Sequence, residues 1–403
     1  MATVEAEQLT RRFNWPFSRL AESLEASIIR EVLKISSKKG IINFAGGLPA
    51  GELFPVVAIR ECIDSVLTKY ASPSLQYSLT QGILPLREEL AEHVSQRVLP
   101  VTAENILITT GSQQGLDLIG RIFIEPGDYV LTELPTYLGA LQAFNFYQVR
   151  YAPVKMDRQG LLVDEAEEKI KKYRPKFMYV VPNFQNPSGI TLSYPRRREL
   201  ISLAFKYQIP IIDDNPYGEL RYSGLAAPSL RGIGGDAVIQ LGTFSKLISP
   251  GLRVGWICAP TAAIRMLEKV KQAVDLHSTT FTQYIVYEFL RRDYLPRHIE
   301  LIKAAYSQRR DIMISAMNEY FPPSVKWPYP DGGLFLWVQL PDHASATRIF
   351  DEAIEAGVAF VPGKSFHPDG SGDNTARLNF ASPSHEEIIE GIKRLGNVLK
   401  RYC

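Results

Sequence analysis

The feature that most constrains the fold is the alternation of short apolar segments with helical segments between residues 106 and 260. Apolar runs such as ILITTG, YVLTEL, FMYVVP and IPIIDD are separated by stretches with the periodicity of amphipathic helices. Short buried strands that alternate with helices predict βαβ units and a mostly parallel sheet covered by helices on both faces. Ligands bind such sheets at the carboxyl ends of the strands, so reactive side chains are expected directly after them.

The length of the chain and a change of pattern near residue 300 predict two domains. A chain of 403 residues is longer than most chains that fold around a single hydrophobic core. We expect an N-terminal segment over 1–55 that joins the small domain, a large domain over 56–300, and a small α+β domain over 301–403 with strands in GGLFLWVQL, VAFVPG and ARLNFA. Helical spacing also predicts a helix over 22–38 and one long helix over 262–290.

Composition excludes several classes of protein. A net charge of +2 provides no field for nucleic acid or an anionic membrane, and no apolar stretch approaches the roughly 18 residues that span a bilayer. The start of the chain lacks the profile of a signal peptide, and three distant cysteines indicate a reducing compartment. The six histidines show no metal-binding spacing. We therefore expect a cytoplasmic protein without a metal, a nucleic-acid partner or a membrane segment.

The stretch TFSKLISPGLRVGW places one lysine, Lys246, among hydroxylated and turn-forming residues. A lysine with the ordinary pKa of about 10.4 is protonated, so one that forms a Schiff base needs burial or a nearby cation. Arg253 is a candidate cation, and together with the hydroxyls of Thr243 and Ser245 it suits a phosphate group. A Schiff-base lysine beside a phosphate site predicts pyridoxal phosphate as the cofactor.

A phosphate site is also predicted where the strand ILITTG runs into the helical stretch SQQGLDL. The backbone N–H groups at the N-terminus of this helix, with Ser112 at the cap, form an anion site. The stretch is neither a GxGxxG motif nor a P-loop, so it suits a single phosphate better than a dinucleotide.

Further polar side chains follow the strands or interrupt apolar segments. Asp214 ends IPIIDD, where a carboxylate can keep a pyridine nitrogen protonated. Tyr217 lies three residues later, and Asn186 lies in YVVPNFQNPSG; both side chains can hydrogen-bond the oxygen on the cofactor ring. Arg377, in TARLNFA, suits bidentate capture of a substrate α-carboxylate.

Each stretch taken alone also has a purely structural explanation. A surface loop accounts for Lys246, a serine N-cap accounts for Ser112, and turns that involve Asp or Asn account for Asp214 and Asn186. An ion pair within the protein accounts equally well for Arg377. The functional interpretation therefore depends on the occurrence of these motifs together.

Together the stretches resemble the class I and II aminotransferases among the fold-type-I pyridoxal-phosphate enzymes. The resemblance runs from about Ile28 to Lys400 and is greatest for the 2-aminoadipate and kynurenine aminotransferase branch, through FAGGLPAGELFP, TTGSQQGLDL, NFQNPSG, DDNPYGEL, FSKLISPGLRVGW, DGGLFLWVQLP and VAFVPG. It implies an α/β fold with a mostly parallel, seven-stranded-type sheet sandwiched by helices, plus a smaller α+β domain. It also implies a homodimer with active sites at the interface.

The resemblance implies a role for each candidate residue. Lys246 holds the cofactor and transfers the substrate proton, while Asp214 pairs with the pyridine nitrogen. Thr243 either reaches the phosphate or merely caps its turn. The other cofactor contacts are made by Tyr217 and Asn186 at the ring oxygen, Tyr137 at the ring face, Ser112, Gln113, Ser245 and Arg253 at the phosphate, and Tyr77 at the phosphate of the neighbouring subunit. The substrate contacts are made by Arg377, Asn186, Gly46, Gly47 and Arg30.

The implied activity is the transfer of an amino group between an L-amino acid and a 2-oxo acid by a ping-pong mechanism, with glutamate and 2-oxoglutarate as the expected pair. Arg30 either meets a distal carboxylate, which favours glutamate or 2-aminoadipate, or is a solvated helix residue. Its apolar neighbours Ile28, Ile29 and Leu33 suit leucine-type or aromatic substrates instead. The preferred amino donor therefore stays open.

Two other functions remain as alternatives. A β-lyase or decarboxylase on the same fold needs the same lysine and aspartate, so the motifs do not separate it from a transferase. Arg377 and the signatures of the aminoadipate branch favour transfer. An aminotransferase-like transcription regulator carries an additional DNA-binding domain, and the start of the resemblance near residue 28 disfavours it.

Overall fold

The computed structural model describes residues 15–23, 40–95 and 100–403. The predicted helix over 22–38 lies outside these residues except for its first two positions, which belong to the helix Arg19–Ser23. Arg30 lies outside them as well.

A large sheet forms the centre of the described structure. In chain order its strands are β2 Ile106–Thr109, β3 Tyr129–Leu134, β4 Arg150–Asp157, β5 Gly160–Leu161, β6 Met178–Val180, β7 Ile211–Asp214, β8 Val238–Thr243 and β9 Gly255–Cys258. Their spatial order in the sheet is β2-β9-β8-β7-β6-β3-β4-β5. Strands β3, β4, β6, β7 and β8 run parallel to one another, whereas β9 is antiparallel to both β2 and β8.

The predicted α/β class is confirmed, and each apolar run named from the sequence contains a strand of this sheet. The short strand β5 pairs antiparallel with β4 at the edge of the sheet and extends it beyond the expected seven strands. The carboxyl ends of β2, β6, β7 and β8 meet at one edge, because these strands point the same way.

The two faces of the sheet pack against different apolar cores. In β6, Met178 and Val180 belong to one core, whereas Tyr179 between them belongs to the other. This alternation is the period of two that a β-strand imposes. Ile212 lies on the same face as Tyr179, and Ile211 lies on the opposite face.

Helices cover both faces of the sheet and join its strands. Among the described residues, no helix is long and apolar enough to cross a membrane. The α-helices beyond Arg19–Ser23 are Val56–Lys69, Ala71–Leu75, Leu84–Ser95, Gly111–Phe123, Leu138–Asn145, Val163–Tyr173, Tyr194–Tyr207, Leu230–Gly234, Thr261–Asp275, Thr280–Arg291, Tyr294–Tyr320, Ala346–Glu355 and His385–Leu399.

The expectation of one long helix over 262–290 is wrong. The segment forms two helices, Thr261–Asp275 and Thr280–Arg291. Leu276 ends the first helix with φ of 63°, a left-handed conformation that a continuing helix does not permit. Residues 275–280, DLHSTT, contain neither glycine nor proline, so neither of the two strongest helix breakers marks the end of the first helix.

The C-terminal region carries two small sheets. Strands β10 Phe335–Gln339, β12 Val361–Pro362 and β13 Thr375–Asn379 form an antiparallel sheet, and β1 Ile42–Asn43 pairs with β11 Val358–Ala359. The stretch VAFVPG therefore supplies two strands to two different sheets rather than one strand.

The predicted domain limits remain a prediction. The helix Tyr294–Tyr320 crosses the expected boundary between residues 300 and 301. Strand β1 pairs with β11, so residues near the N-terminal end of the described chain pack with the C-terminal region.

Candidate active site

A cavity of about 420 Å³ lies at the edge of the sheet where several parallel strands end. Twelve of the side chains and glycines singled out from the sequence line it, although they come from positions more than 300 residues apart. These residues are Gly47, Ser112, Gln113, Tyr137, Asn186, Asp214, Tyr217, Thr243, Ser245, Lys246, Arg253 and Arg377.

Lys246 follows strand β8 and its side chain is partly buried in the wall of the cavity. Its ammonium group donates to the carbonyl oxygen of Gly47 at 2.7 Å. Burial, reinforced by the guanidinium groups of Arg377 and Arg253, lowers the pKa of Lys246 to about 8. A substantial fraction of this lysine is therefore neutral and nucleophilic near physiological pH.

The N-terminus of the helix Gly111–Phe123 faces one end of the cavity. The first N–H groups of a helix have no intrahelical partner, so they can bind an anion there. Gly111 has φ of +72°, and a Cβ at this position would lie 2.6 Å from Nη2 of Arg253. A Cβ at Gly255 would lie 2.8 Å from the backbone nitrogen of Ser112. Glycine at both positions thus permits the Arg253 side chain and two backbone segments to converge at this end of the cavity.

The hydroxyls that follow β8 lie at the same end of the cavity. Thr243 Oγ1 donates to Ser245 Oγ at 2.9 Å and accepts from the Ser245 backbone N–H at 3.1 Å. Thr243 thus caps the turn that leads to Lys246, and it also lines the cavity. Both of its predicted roles are compatible with this position.

The carboxylate of Asp214 enters the cavity from the end of β7. Its Oδ2 accepts a hydrogen bond from the hydroxyl of Tyr179 at 2.7 Å, whereas the buried Oδ1 has no partner among the described residues. Burial raises the pKa of Asp214 to about 6, and the Tyr179 hydrogen bond opposes that rise. An unpartnered buried carboxylate oxygen that lines a cavity is suited to a cationic N–H donor.

A chain of hydrogen bonds connects three other predicted residues. Arg377 Nη1 donates to Asn186 Oδ1 at 2.8 Å, and Asn186 Nδ2 donates to the hydroxyl of Tyr217 at 3.3 Å. All three side chains are buried. These two hydrogen bonds fix the orientation of the Asn186 amide, because the amide oxygen faces Arg377 and the amide nitrogen faces Tyr217.

The guanidinium of Arg377 is held between aromatic rings. It lies 4.3 Å from the ring centroid of Phe335 and 5.0 Å from that of Phe366, and its Nη2 donates to the carbonyl oxygen of Ala45 at 2.7 Å. Burial lowers its pKa to about 10, so the group stays charged at neutral pH. In the part of the chain that the structure describes, its buried Nε has no hydrogen-bond partner and no carboxylate pairs with the group. The arrangement leaves this cation available to a carboxylate ligand.

Tyr137 lies beside the same cavity at the start of the helix Leu138–Asn145. Burial raises the pKa of its hydroxyl to about 12. A Cβ at Gly139 would lie 2.5 Å from the Tyr137 ring, so glycine at that position permits the ring to occupy its place.

Three predicted residues do not line the cavity. Tyr77 is 78% exposed and packs edge-on against His277. Gly46 lies behind the wall, where its carbonyl oxygen accepts from Asn379. Arg30 is outside the described residues.

The structure also places residues in the site that the sequence analysis missed. Tyr179 is an aromatic residue in an apolar strand, so its pattern indicated only a core position. Its side chain lies behind the cavity wall and contacts Asp214. Four further residues line the cavity itself: Gln142, Val181, Pro216 and Pro250. Gln142 and Val181 lie near the predicted segments, but only the order of the strands brings them to this edge.

Comparison with known proteins identifies the family. A model of the aminotransferases of class I and II matches residues 39–395, and the chain belongs to this family. It is 45% identical to aromatic-amino-acid aminotransferase 1 of Thermococcus litoralis over 95% of this chain and 94% of that protein. It is 40% identical to the 2-aminoadipate transaminase of Thermus thermophilus over 95% of this chain and 96% of that protein.

A solved structure agrees with these relatives. The kynurenine aminotransferase of Pyrococcus horikoshii, solved in complex with PMP, is 42% identical and has a TM-score of 0.93 over 100% of this chain and 99% of that chain. The protein is an enzyme that transaminates amino acids, and pyridoxal phosphate is its cofactor.

The donor set of the cavity fits this cofactor. The unpartnered Oδ1 of Asp214 suits a pyridinium N–H, the helix N-terminus with Arg253 suits a phosphate, and Lys246 has the lowered pKa that aldehyde capture requires.

Proposed function

We propose that the cavity around Lys246 is the transamination site and that its residues hold pyridoxal phosphate in one defined orientation. The observation that carries this proposal is the convergence of Lys246, Asp214 and Arg377 on one cavity. One group suits an aldehyde, one suits a pyridinium nitrogen, and one suits a carboxylate.

In this proposal each residue of the chain has a defined task. Asp214 keeps the ring nitrogen protonated, and the bound cofactor then serves as an electron sink for bonds at the substrate α-carbon. Tyr217 and Asn186 donate to the ring oxygen, and Tyr137 packs on the ring face. Lys246 would hold the cofactor aldehyde, and its amine, when free, would take a proton from the substrate α-carbon.

The phosphate is held at the other end of the cavity. The N–H groups of Ser112 and Gln113, at the start of their helix, point toward it together with the hydroxyl of Ser245. Arg253 adds positive charge from the turn after Pro250. Thr243 fixes the turn that leads to Lys246 through its hydrogen bonds to Ser245.

We propose that Arg377 binds the α-carboxylate of every substrate. Its guanidinium is buried, charged and fixed by Asn186 and the Ala45 carbonyl, and Gly47 lets the substrate approach the backbone. The site would accept glutamate and 2-oxoglutarate as one pair. The relatives named for aromatic amino acids, 2-aminoadipate and kynurenine support aromatic or long acidic amino acids as the second pair.

An amino-donor panel tests this substrate assignment. We expect L-glutamate, 2-aminoadipate and at least one aromatic amino acid to reduce the visible absorbance of the enzyme and to release their 2-oxo acids. With 2-oxoglutarate as acceptor, initial rates at several fixed donor concentrations should give the parallel reciprocal lines of a ping-pong mechanism. Release of ammonia or carbon dioxide from these donors would instead indicate a lyase or a decarboxylase.

Arg30 is proposed to select acidic side chains. Replacement of this residue by alanine should lower kcat/KM for 2-aminoadipate more than for phenylalanine. An equal loss for both donors would refute a contact with the distal carboxylate.

We propose that the enzyme is a cytoplasmic homodimer in which Tyr77 reaches the phosphate in the neighbouring subunit. Its exposed position, near the exposed apolar side chains of Leu75 and Leu79, supports this arrangement. Mixing the inactive variants Lys246→Ala and Tyr77→Ala should restore activity, because a heterodimer then contains one intact site. Mixtures without any gain in activity would contradict the shared site.

A further inference from the structure

A carboxylate that pairs with a ring nitrogen must point one of its oxygens at that nitrogen, so the orientation of Asp214 matters for the proposed site. Only one side-chain hydrogen bond within the described structure holds it, the 2.7 Å bond from the Tyr179 hydroxyl to Oδ2. The other oxygen, Oδ1, has no partner within residues 15–23, 40–95 and 100–403. Because Tyr179 occupies Oδ2, Oδ1 is the oxygen of Asp214 that is available to a ligand.

Adjacent strands bring these two residues together. Tyr179 in β6 is paired with Ile212 in β7, and Asp214 follows two residues later on the same face. The tyrosine ring leans along the strand toward the carboxyl edge, so its hydroxyl reaches the carboxylate from below the cavity. Tyr179 does not line the cavity itself, and its side chain is fully buried.

The tyrosine is itself fixed by aromatic packing. Its ring lies edge-on to Phe144 at 5.8 Å, and Phe144 packs edge-on to Phe177 at 5.3 Å. A buried donor that cannot rotate away provides a preorganised hydrogen bond, whereas a water molecule or a mobile side chain would not. Burial raises the pKa of Asp214, and this hydrogen bond favours its ionised form.

We propose that Tyr179 is a positioning residue of the transamination site: it fixes Asp214 so that Oδ1 faces the cofactor ring nitrogen. The proposal rests on the assignment of Asp214 in the proposed function. The tyrosine contacts neither substrate nor cofactor and acts only through the carboxylate.

The test is a double-mutant cycle read through the release of PMP, the amino form of the cofactor, which is held without a covalent bond. The variants are Tyr179→Phe, Asp214→Asn and the double variant, each compared with the wild-type holoenzyme. A buried hydrogen bond to a charged acceptor predicts about tenfold faster PMP release from Tyr179→Phe. In the double variant we expect no further increase over Asp214→Asn, because the tyrosine acts through that carboxylate.

A matched control removes another tyrosine–aspartate hydrogen bond. Tyr147 donates to Asp117 Oδ1 at 2.6 Å, and neither residue lines the cavity. Tyr147→Phe should release PMP at the wild-type rate. Steady-state kinetics of Tyr179→Phe should show a reduced kcat with KM for the amino donor changed by less than about twofold, since Arg377 is untouched. Unfolding temperatures of the variants identify any general loss of structure.

Two outcomes would overturn the inference separately from the proposed function. Wild-type PMP release from Tyr179→Phe, with fast release from Asp214→Asn, would refute the role of Tyr179 and leave that of Asp214 intact. An additive effect in the double variant would also refute it, because the tyrosine would then act elsewhere. Wild-type release from both single variants would refute the assignment of Asp214 itself.

Discussion

The lowered pKa of Lys246 makes a quantitative prediction about cofactor capture. Burial and two guanidinium groups lower this pKa from 10.5 to about 8. At pH 7 about one lysine in ten is then neutral, against roughly one in 3,000 at the ordinary pKa. The reactive fraction of Lys246 at pH 7 is therefore about 300 times that of a solvated lysine.

Stopped-flow mixing of the cofactor-free enzyme with pyridoxal phosphate measures this fraction. The absorbance of the lysine-bound cofactor reports the rate of capture, and the pH is varied from neutral to strongly alkaline. We expect the rate to rise with pH and to level off with a midpoint near pH 8, because only the neutral amine attacks. A lysine-containing peptide provides the reference with an ordinary midpoint.

A variant tests the cause of the shift. Arg377→Gln removes one of the two positive charges that oppose protonation of Lys246, so its midpoint should move to higher pH. A wild-type midpoint near that of the peptide would refute the argument that the cavity activates this lysine. An unchanged midpoint in Arg377→Gln would leave burial and Arg253 as the causes of the shift.

Three further predictions follow from contacts in and behind the site. Arg377→Lys should lower kcat/KM for all amino donors by about 100-fold at normal cofactor absorbance, because an ammonium group cannot bind a carboxylate in two-pronged fashion; steady-state kinetics measure this, and a loss confined to one donor would contradict a general α-carboxylate role. Gly255→Ala should weaken cofactor retention in dialysis, since its Cβ would lie 2.7 Å from the Gly111 carbonyl carbon, whereas Gly51→Ala, with its nearest neighbour at 3.9 Å, should retain it. Asp275→Ala should lower the free energy of unfolding by about 2–3 kcal/mol in a denaturant titration, because the fully buried Lys271 loses its 2.6 Å carboxylate partner and Gln114 loses its acceptor at 2.7 Å. Lys271→Met in the same chain should restore only the part that comes from the unpaired buried lysine, and no recovery at all would contradict this account.

Much of the sheet could be predicted because its strands are short, buried and apolar. A strand such as β7 is recognisable in IPIIDD, since a buried parallel strand needs apolar residues on both faces. The same rule placed Asp214 and Lys246 at one edge, because parallel strands end together. The positions of Asp214 and Lys246 therefore follow from the apolar pattern of the strands and from their parallel direction.

Other features depend on contacts that no local pattern contains. The break at Leu276 carries no glycine or proline, so it could not be separated from a continuous helix. The division of VAFVPG into two strands is set by two different partners, β1 and β13. The role of Tyr179 depends on the adjacency of β6 and β7. A hydroxyl-bearing side chain in an otherwise apolar strand is the one local signal that could have suggested it.

The measurement that tests the central claim most directly is a single half-reaction. The enzyme with bound pyridoxal phosphate is mixed with excess L-glutamate and no added 2-oxo acid. We predict one equivalent of 2-oxoglutarate per Lys246 site, loss of the visible absorbance, no ammonia or carbon dioxide, and no reaction in Lys246→Ala. Continued product formation without an acceptor, or release of ammonia or carbon dioxide, would contradict transamination at this site.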